Sequence, residues 1–322
     1  MELQLVWQTR QKWGRILLIV FLVCGYFYLT KTSRSAVQPI EAYLSSRRAV
    51  SNASTGSLSL LTYNVAGLPD VISAATTPRA QSMRAISKKI NTFDIVNVQE
   101  DFHYHDDLYK GGNRHPYRTA PKIGMPYGDG LNTLSNYPIL ESRRISWKDC
   151  HGTDCLASKG FSYTRIQLAV DVNIDVYNVH ATAQDNAGAA LARRKNMQQL
   201  ADYIRQYSND QAVLVMGDFN AHYAASWDNV LRFSERTTLT DAWVALERNG
   251  TVPPIHPQFR AADKLALTDT CESIDKIFFR NSLHVEFTPR SYKVEKQQFS
   301  DNHGEPLSDH CAISFVLNWK KK

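Results

Sequence analysis

Four short polar clusters close or open apolar runs in this chain. Asn64 follows SLSLLTY, Glu100 follows DIVNVQ, Asp218 and Asn220 sit in VLVMGDFN, and Asp309–His310 interrupt PLSDHCAISF. Carboxylates, carboxamides and an acid–histidine pair are the groups that a metal-assisted cleavage of a phosphodiester requires. Mg²⁺ takes oxygen ligands, few of them from protein, and keeps several waters. Glu100 and Asn64 suit that role. A histidine such as His310 can act as a general base on water if a carboxylate orients its ring. Asp275, in SIDKIFF, is the candidate for that orienting group. His180 can stabilise charge on phosphoryl oxygens or help a leaving group depart.

Spacing supports the grouping. Asp218 and Asn220 are two residues apart at the end of a strand-like run, and so are Asn178 and His180; period-two spacing sends both members of a pair to one face. Gly217 permits close approach of backbone or ligand. Any one cluster taken alone reads more readily as turn chemistry, since Asp and Asn are ordinary turn formers. The signal is their joint occurrence, each beside an apolar run.

The elements that must position these residues alternate along the chain. Leu58–Asn64, Asp94–Gln99, Phe161–Val170, Ile174–His180, Ala212–Met216, Ser273–Phe279 and Cys311–Leu317 read as strands, and Gly128–Ser135 to Ile139 as a turn-rich strand region. Thr77–Pro78 reads as a helix N-cap followed by Pro at the first helical position, opening a helix to about Ile90. Ala187–Tyr207 reads as a long helix, with Leu191, Met197, Leu200, Ile204 and Tyr207 at helical spacing. Thr238–Glu247 reads as a further helix. Some neighbouring strands are too close for helical crossovers, which predicts a mixed α/β sheet rather than a purely parallel one.

The chain of 322 residues can bury one large core. Its formal charge of +6 is unevenly placed. Residues 58–322 hold 30 Lys/Arg against 29 Asp/Glu. The excess therefore lies in residues 1–57, which disfavours a dedicated duplex-DNA binder. Residues 1–13 form a short tail. Residues 14–30 form an apolar segment whose uncharged run, 16–30, has Arg10, Lys12 and Arg15 before it and Lys31 and Arg34 after it. The run predicts a transmembrane signal anchor; a cleaved signal peptide is the alternative. Bulky Tyr26, Phe27, Tyr28 and Leu29 at its end favour the anchor, as does an interfacial aromatic belt. The flanking charges place the large domain in the lumen or outside the cell, or secreted if the segment is cleaved. Residues 31–57 read as a flexible stem, and 58–322 as the catalytic domain. Asn52 and Asn249 head glycosylation triplets. Beyond Cys24, the cysteines Cys150, Cys155, Cys271 and Cys311 admit disulfides, with Cys150–Cys155 a small covalent loop; four unpaired thiols are the alternative.

The motifs TYNVAGLP, DIVNVQE, GDGLNTLSNYPI, YNVHATAQD, GDFNAH, SIDKIFF and SDH resemble those of the endonuclease/exonuclease/phosphatase superfamily, over roughly Leu58 to Leu317. That superfamily includes deoxyribonucleases, apurinic endonucleases, inositol polyphosphate 5-phosphatases and neutral sphingomyelinases. The resemblance implies a four-layer α/β/β/α sandwich of two mixed sheets. It implies Mg²⁺, with Mn²⁺ or Co²⁺ as substitutes, held by Glu100, Asn64 and Asp309. It implies that Asp218 and Asn220 position water and phosphate, and that His310 is the base supported by Asp275. VMGDFNAH lacks the Trp usual in the 5-phosphatases. DCLASKGFSY resembles bacterial-type sphingomyelinases, and makes Lys159 a phosphate-binding candidate beside Asn178. The acid with which deoxyribonucleases pair the first histidine has only Asp101 and Asp106 as candidates here. The expectation is a membrane-anchored hydrolase of phospholipid or sphingolipid headgroups. A secretory-pathway nuclease acting on nucleic acid is the alternative, and an inactive binding module a third reading.

Overall fold

The computed structural model describes residues 40–42, 50–122 and 127–322. Thirteen strands build two sheets. In the first sheet are β1 (Ile40–Ala42), β2 (Thr55–Asn64), β3 (Ile95–Gln99), β4 (Tyr117–Thr119), β5 (Asn132–Ser135), β12 (Val285–Val294) and β13 (Ile313–Lys321). Their order is β1-β4-β5-β3-β2-β13-β12. In the second are β6 (Ile139–Ser146), β7 (Gly160–Ala169), β8 (Val172–His180), β9 (Val213–Asp218), β10 (Thr240–Asp241) and β11 (Asp275–Arg280), in the order β10-β11-β9-β8-β7-β6. Only β2–β3 and β8–β9 pair in parallel; every other pairing is antiparallel, so both sheets are mixed.

The central strands are apolar on both faces because both faces are covered. β3 (IVNVQ) and β9 (VLVMGD) are buried throughout. The inner faces of the two sheets meet in one core with Leu58, Leu60, Val176, Leu214, Phe279 and Phe315, and Phe279 stacks on Phe315 across them. The same core continues under the helix Ala187–Tyr207 through Met197, Leu200 and Ile204. A separate cluster seats the helix Arg79–Lys89 on the outer side of the first sheet, with Met83 and Ile86 against Leu61, Tyr63, Val96 and Val98. Helix, sheet, sheet and helix thus form the α/β sandwich. Among the described residues no helix is long and apolar enough to cross a membrane. The expected anchor at 14–30 lies outside the described residues.

Several element boundaries differ from expectation for local reasons. Pro78 itself is the N-cap of the first helix, and Thr77 instead bonds Ser82 Oγ at 2.9 Å and Pro306 O at 3.0 Å. The long helix has the expected ends and is capped by Asn186, whose side chain accepts from Ala189 N. Its buried stripe keeps Met197, Leu200 and Ile204 of the expected five residues. Leu191 and Tyr207 are 48% and 43% exposed, while Ala190, Arg193 and Asn196 face inward. The predicted helix at Thr238–Glu247 is shorter: Thr238 adopts a left-handed conformation, and the helix Ala242–Glu247 starts only after Asp241 caps Trp243 N at 2.8 Å. The end of the expected stem joins the fold. β2 begins at Thr55, Val170 N donates to Ser51 O at 2.9 Å, and β1 pairs with β4.

Candidate active site

The topology collects the predicted residues at one edge of the sandwich. Parallel β2 and β3 deliver Asn64 and Glu100 at their C-terminal ends, and parallel β8 and β9 deliver His180 and Asp218 at theirs. Antiparallel β11 enters at the same edge, so Asp275 lies directly opposite Asp218 in the register. β13 is antiparallel to β2, with Ile313 opposite Thr62, and this places the preceding His310 beside Asn64. Ser308 Oγ secures that approach by donating to Asn64 O at 2.6 Å.

Two of the residues reach the edge through left-handed backbone. Glu100 has φ 58° and Asn220 φ 49°, a region costly for non-glycine residues and often retained at functional sites. Asn220 therefore reaches the site through a turn beyond β9, not through strand alternation with Asp218. Its amide N–H donates to Asp218 Oδ1 at 2.9 Å and its side chain to Ala181 O at 3.2 Å. The turn carrying Glu100 is packed tightly: a Cβ on Gly67 would lie 2.2 Å from Glu100 O.

At the centre, His310 Nδ1 is 2.9 Å from Asp275 Oδ2, and its Nε2 is 3.8 Å from Asp218 Oδ2. The carboxylate fixes the ring so that Nε2 faces the site. Burial pulls the His310 pKa down, but the charges of Asp275 and Asp218 and the hydrogen bond to Asp275 outweigh it and raise the pKa to about 9. Burial, followed by the charge of Asp275, raises the Asp218 carboxyl to about 6. Burial, reinforced by the charges of Lys159, His310 and Lys264, holds His180 well below the usual imidazole range, so that ring is neutral. His180 Nε2 lies 3.7 Å from Asp218 Oδ2 and 3.8 Å from Glu100 Oε1. Its buried Nδ1 has no hydrogen-bond partner. The two candidate partners are engaged elsewhere, Asp101 with Asn132 at 2.7 Å and Asp106 with Lys110 at 3.0 Å.

Asn64 Nδ2 donates to Glu100 Oε1 at 3.1 Å and to Asp218 Oδ2 at 3.2 Å. Two carboxylates meeting on one amide make an all-oxygen donor set, the kind that hard divalent cations prefer. A cation there would also offset the cost of keeping Asp218 ionised while buried beside Asp275. Asp218, Asp275 and His310 offer ligand atoms within 4.8 Å of one another. The residues present therefore fit a divalent metal. Asp309 stands apart from this group: it pairs with Lys264 at 3.5 Å and is partly exposed.

Asn178 shares a face with His180 as expected, but its amide is committed between the sheets. It accepts from Gln99 Nε2 at 2.7 Å and donates to Val98 O at 2.9 Å and Asn132 O at 3.1 Å. The structure does not bring it to the phosphate position. Lys159 faces the site while paired with Asp154 at 2.8 Å. The small covalent loop beside it is present, as a Cys150–Cys155 disulfide, and Cys271 and Cys311 are free thiols. Three contributors carried no sequence signal. Lys264 Nζ is 2.7 Å from His310 Nε2. Trp147 Nε1 donates to His180 O at 2.7 Å. Buried Arg79 ties the β2 loop to the His310 loop, donating to Ala66 O at 2.8 Å and Leu307 O at 2.9 Å. A lone Lys in an irregular loop and an Arg in an amphipathic helix look like surface charge.

Similarities to known proteins agree with this arrangement. A sphingomyelinase of Mycobacterium bovis is 40% identical over 263 residues, covering 80% of this chain and 51% of that protein. The chain thus spans about half the length of the curated relatives it matches first. Among solved structures, a substituted Staphylococcus aureus beta toxin with bound magnesium ions superposes with a TM-score of 0.57 at 17% identity, covering 81% of this chain and 99% of that one. TDP2 of D. rerio, complexed with a single-stranded DNA product, gives 0.56 at 18% identity, covering 81% and 98%. These distant structures share the fold. Residues 61–310, which carry every site residue described above, match the Endonuclease/Exonuclease/phosphatase family, and the chain belongs to it.

Proposed function

We propose that this protein is a Mg²⁺-dependent phosphodiesterase that hydrolyses the headgroup of a sphingolipid or phospholipid, as a sphingomyelinase or phospholipase C does. The observation that carries the reaction type is the Asp275–His310 pair aimed at Asp218, with the Asn64 amide joining Asp218 to Glu100. The lipid substrate rests on the 40% identity to a sphingomyelinase and on the near-neutral charge of the folded part.

In this reading His310, in its neutral form, takes a proton from water at Nε2 while Asp275 holds Nδ1–H and steadies the imidazolium that forms. The water oxygen bonds to phosphorus, the bond from phosphorus to the lipid oxygen breaks, the lipid oxygen takes a proton from solvent water as it leaves, and His310 afterwards returns its proton to solvent. The phosphorylated headgroup is released. Asn220 and Asp218 orient the water and the phosphate. His180, neutral and a hydrogen-bond donor at Nε2, stabilises charge on the phosphoryl oxygens. Glu100, Asn64 and Asp218 are the residues that would hold Mg²⁺, with Mn²⁺ or Co²⁺ as substitutes. The bound cation would supply Lewis-acid stabilisation of the phosphoryl charge. It would also screen Asp218 from His310, which favours the neutral ring that a base needs.

The membrane anchor at residues 14–30 remains part of this proposal, with the catalytic domain in the lumen or outside the cell. Its support is the sequence of that segment, together with the disulfide at Cys150–Cys155, which suits an oxidising compartment. Asn52 and Asn249 are both exposed, as acceptors of glycans must be.

A hydrolysis panel tests the substrate class. The full-length protein in detergent would be given sphingomyelin, glycerophospholipids, inositol-phosphate sphingolipids, and single- and double-stranded DNA, with Mg²⁺ and with a chelator. Metal-dependent release of a phosphorylated headgroup is the expected result. Cleavage of DNA with no lipid hydrolysis would move the assignment to a nuclease.

A further inference from the structure

We infer that Lys264 is a substrate-binding residue: its ammonium caps His310 in the free protein and transfers to the anionic phosphoryl oxygens when a phosphodiester enters. The inference rests on the phosphodiesterase reading above. Lys264 stands on the irregular segment between the bridge at His256 and the start of β11. A tight turn presents it, with Leu265 N donating to Asp263 Oδ1 at 2.9 Å and Ala266 N to Asp263 O at 3.0 Å.

Its contacts define a resting position that is incompatible with turnover. Nζ lies 2.7 Å from His310 Nε2 and 3.5 Å from Asp309 Oδ2. His310 Nδ1 is taken up by Asp275 at 2.9 Å, so Nε2 is the nitrogen left to act on water, and Lys264 Nζ stands directly against it. With the ammonium in that position no water can reach Nε2, and His310 cannot act on a nucleophile. Lys264 therefore has to leave Nε2 before the reaction, and it needs an anionic partner in its new position.

The entering phosphodiester is such a partner, and Lys264 is placed to meet it. Its side chain is 41% exposed, and with Asn220 it lines a recess of about 120 Å³ beside the site, walled also by His222, Glu272 and Ile274. Two other lysines, Lys159 and Lys276, are more deeply buried and sit in shorter ion pairs than the 3.5 Å pair of Lys264 with Asp309. Lys159 is 9% exposed and bound to Asp154 at 2.8 Å; Lys276 is 3% exposed and bound to Glu272 at 3.0 Å. An anionic substrate approaching Glu100, Asp218, Asp275 and Asp309 needs positive charge beyond a single metal ion. A loosely paired, half-exposed ammonium can supply it by a charge-assisted hydrogen bond.

The test compares Lys264→Met and Lys264→Arg with the unaltered full-length protein in the presence of Mg²⁺. Binding of inorganic phosphate is titrated by calorimetry, and KM and kcat are measured on sphingomyelin. The expected result is that Lys264→Met weakens phosphate binding and raises KM, each by about tenfold or more, the size of one hydrogen bond to a charged group. Lys264→Arg should recover most of both. An unchanged phosphate affinity in Lys264→Met overturns the inference, whatever happens to kcat, as does an absence of phosphate binding by the unaltered protein. Phosphate titration needs no turnover. Phosphate bound through Lys264 by a protein that cleaves no phosphodiester would therefore contradict the activity while leaving this role in place.

Discussion

In the proposed reaction His310 can serve as the base because Asp275 fixes its ring. The 2.9 Å contact holds the proton on Nδ1 and turns Nε2 toward Asp218. Asp275→Asn keeps the shape and removes the charge. Its kcat is expected to fall by about 10²- to 10⁴-fold with little change in KM, because the loss is felt when the imidazolium forms. Steady-state kinetics beside an unchanged thermal melt would check this; a normal kcat would remove Asp275 from the mechanism. The residues of this dyad were legible in the sequence, as were Asn64, Glu100, Asp218 and Asn220, since each is a polar group abutting a run that can only be a buried strand. Asn178 was legible as a residue but not as a role. Its spacing from His180 fixes the face correctly, yet only the packing of the first sheet against it shows that Val98, Gln99 and Asn132 consume its amide. The contacts of Lys264 and Arg79 come from distant segments, and no local pattern announces them.

At the scale of elements, the site depends on the two sheets holding register across their inner faces. Asn97 is the clearest polar tie. It lies fully buried on β3, donates to Tyr177 O on β8 at 3.0 Å and accepts from Thr133 Oγ1 at 2.8 Å. Asn97→Ala removes both bonds and strands a buried hydroxyl and carbonyl. It should lower stability by about 2–4 kcal/mol, read from denaturant midpoints. A loss below the error of that measurement would show that the sheets are held by apolar contact alone. Strands with continuous apolar runs were read correctly, because burial on both faces leaves that signature. β12 lies at the edge of its sheet and buries only Val285, Phe287 and Tyr292, so its alternation is weak and the sequence does not mark it as a strand. The long helix has the expected bounds and buries Met197, Leu200 and Ile204 as expected, but its inward face also takes Ala190, Arg193 and Asn196 where Leu191 and Tyr207 turn outward, and hydropathy does not mark those residues as core. Arg193 earns burial by bonding Asp228 at 2.8 Å and Thr182 O at 3.1 Å.

At the scale of the molecule, burying ionisable groups makes stability depend on pH in a definite direction. Burial lowers His222 to about 4, so between roughly pH 6.5 and 4 the unfolded chain binds a proton that the folded chain refuses. Stability from this group is complete above pH 6.5 and is lost as pH falls through 4, by roughly 3 kcal/mol in total. His222→Gln should flatten the acid limb of a plot of melting temperature against pH; an unchanged limb would assign the loss to other groups. Asp218 acts in the opposite sense. Its carboxyl is raised to about 6, so its contribution is complete below pH 3.8 and is lost as pH rises through 6. A bound divalent cation should relieve that loss, and chelation should lower the melting temperature more at pH 7 than at pH 5.

The central claim is that metal-dependent phosphodiester cleavage runs through His310. The most direct measurement is release of phosphorylated headgroup from sphingomyelin vesicles by the full-length protein and by His310→Ala, each with Mg²⁺ and with a chelator. The account predicts release by the unaltered protein only when Mg²⁺ is present, and a rate about 10²- to 10⁴-fold lower in His310→Ala with an unchanged melt. Near-normal release by His310→Ala, or release by the unaltered protein that persists under chelation, would contradict it.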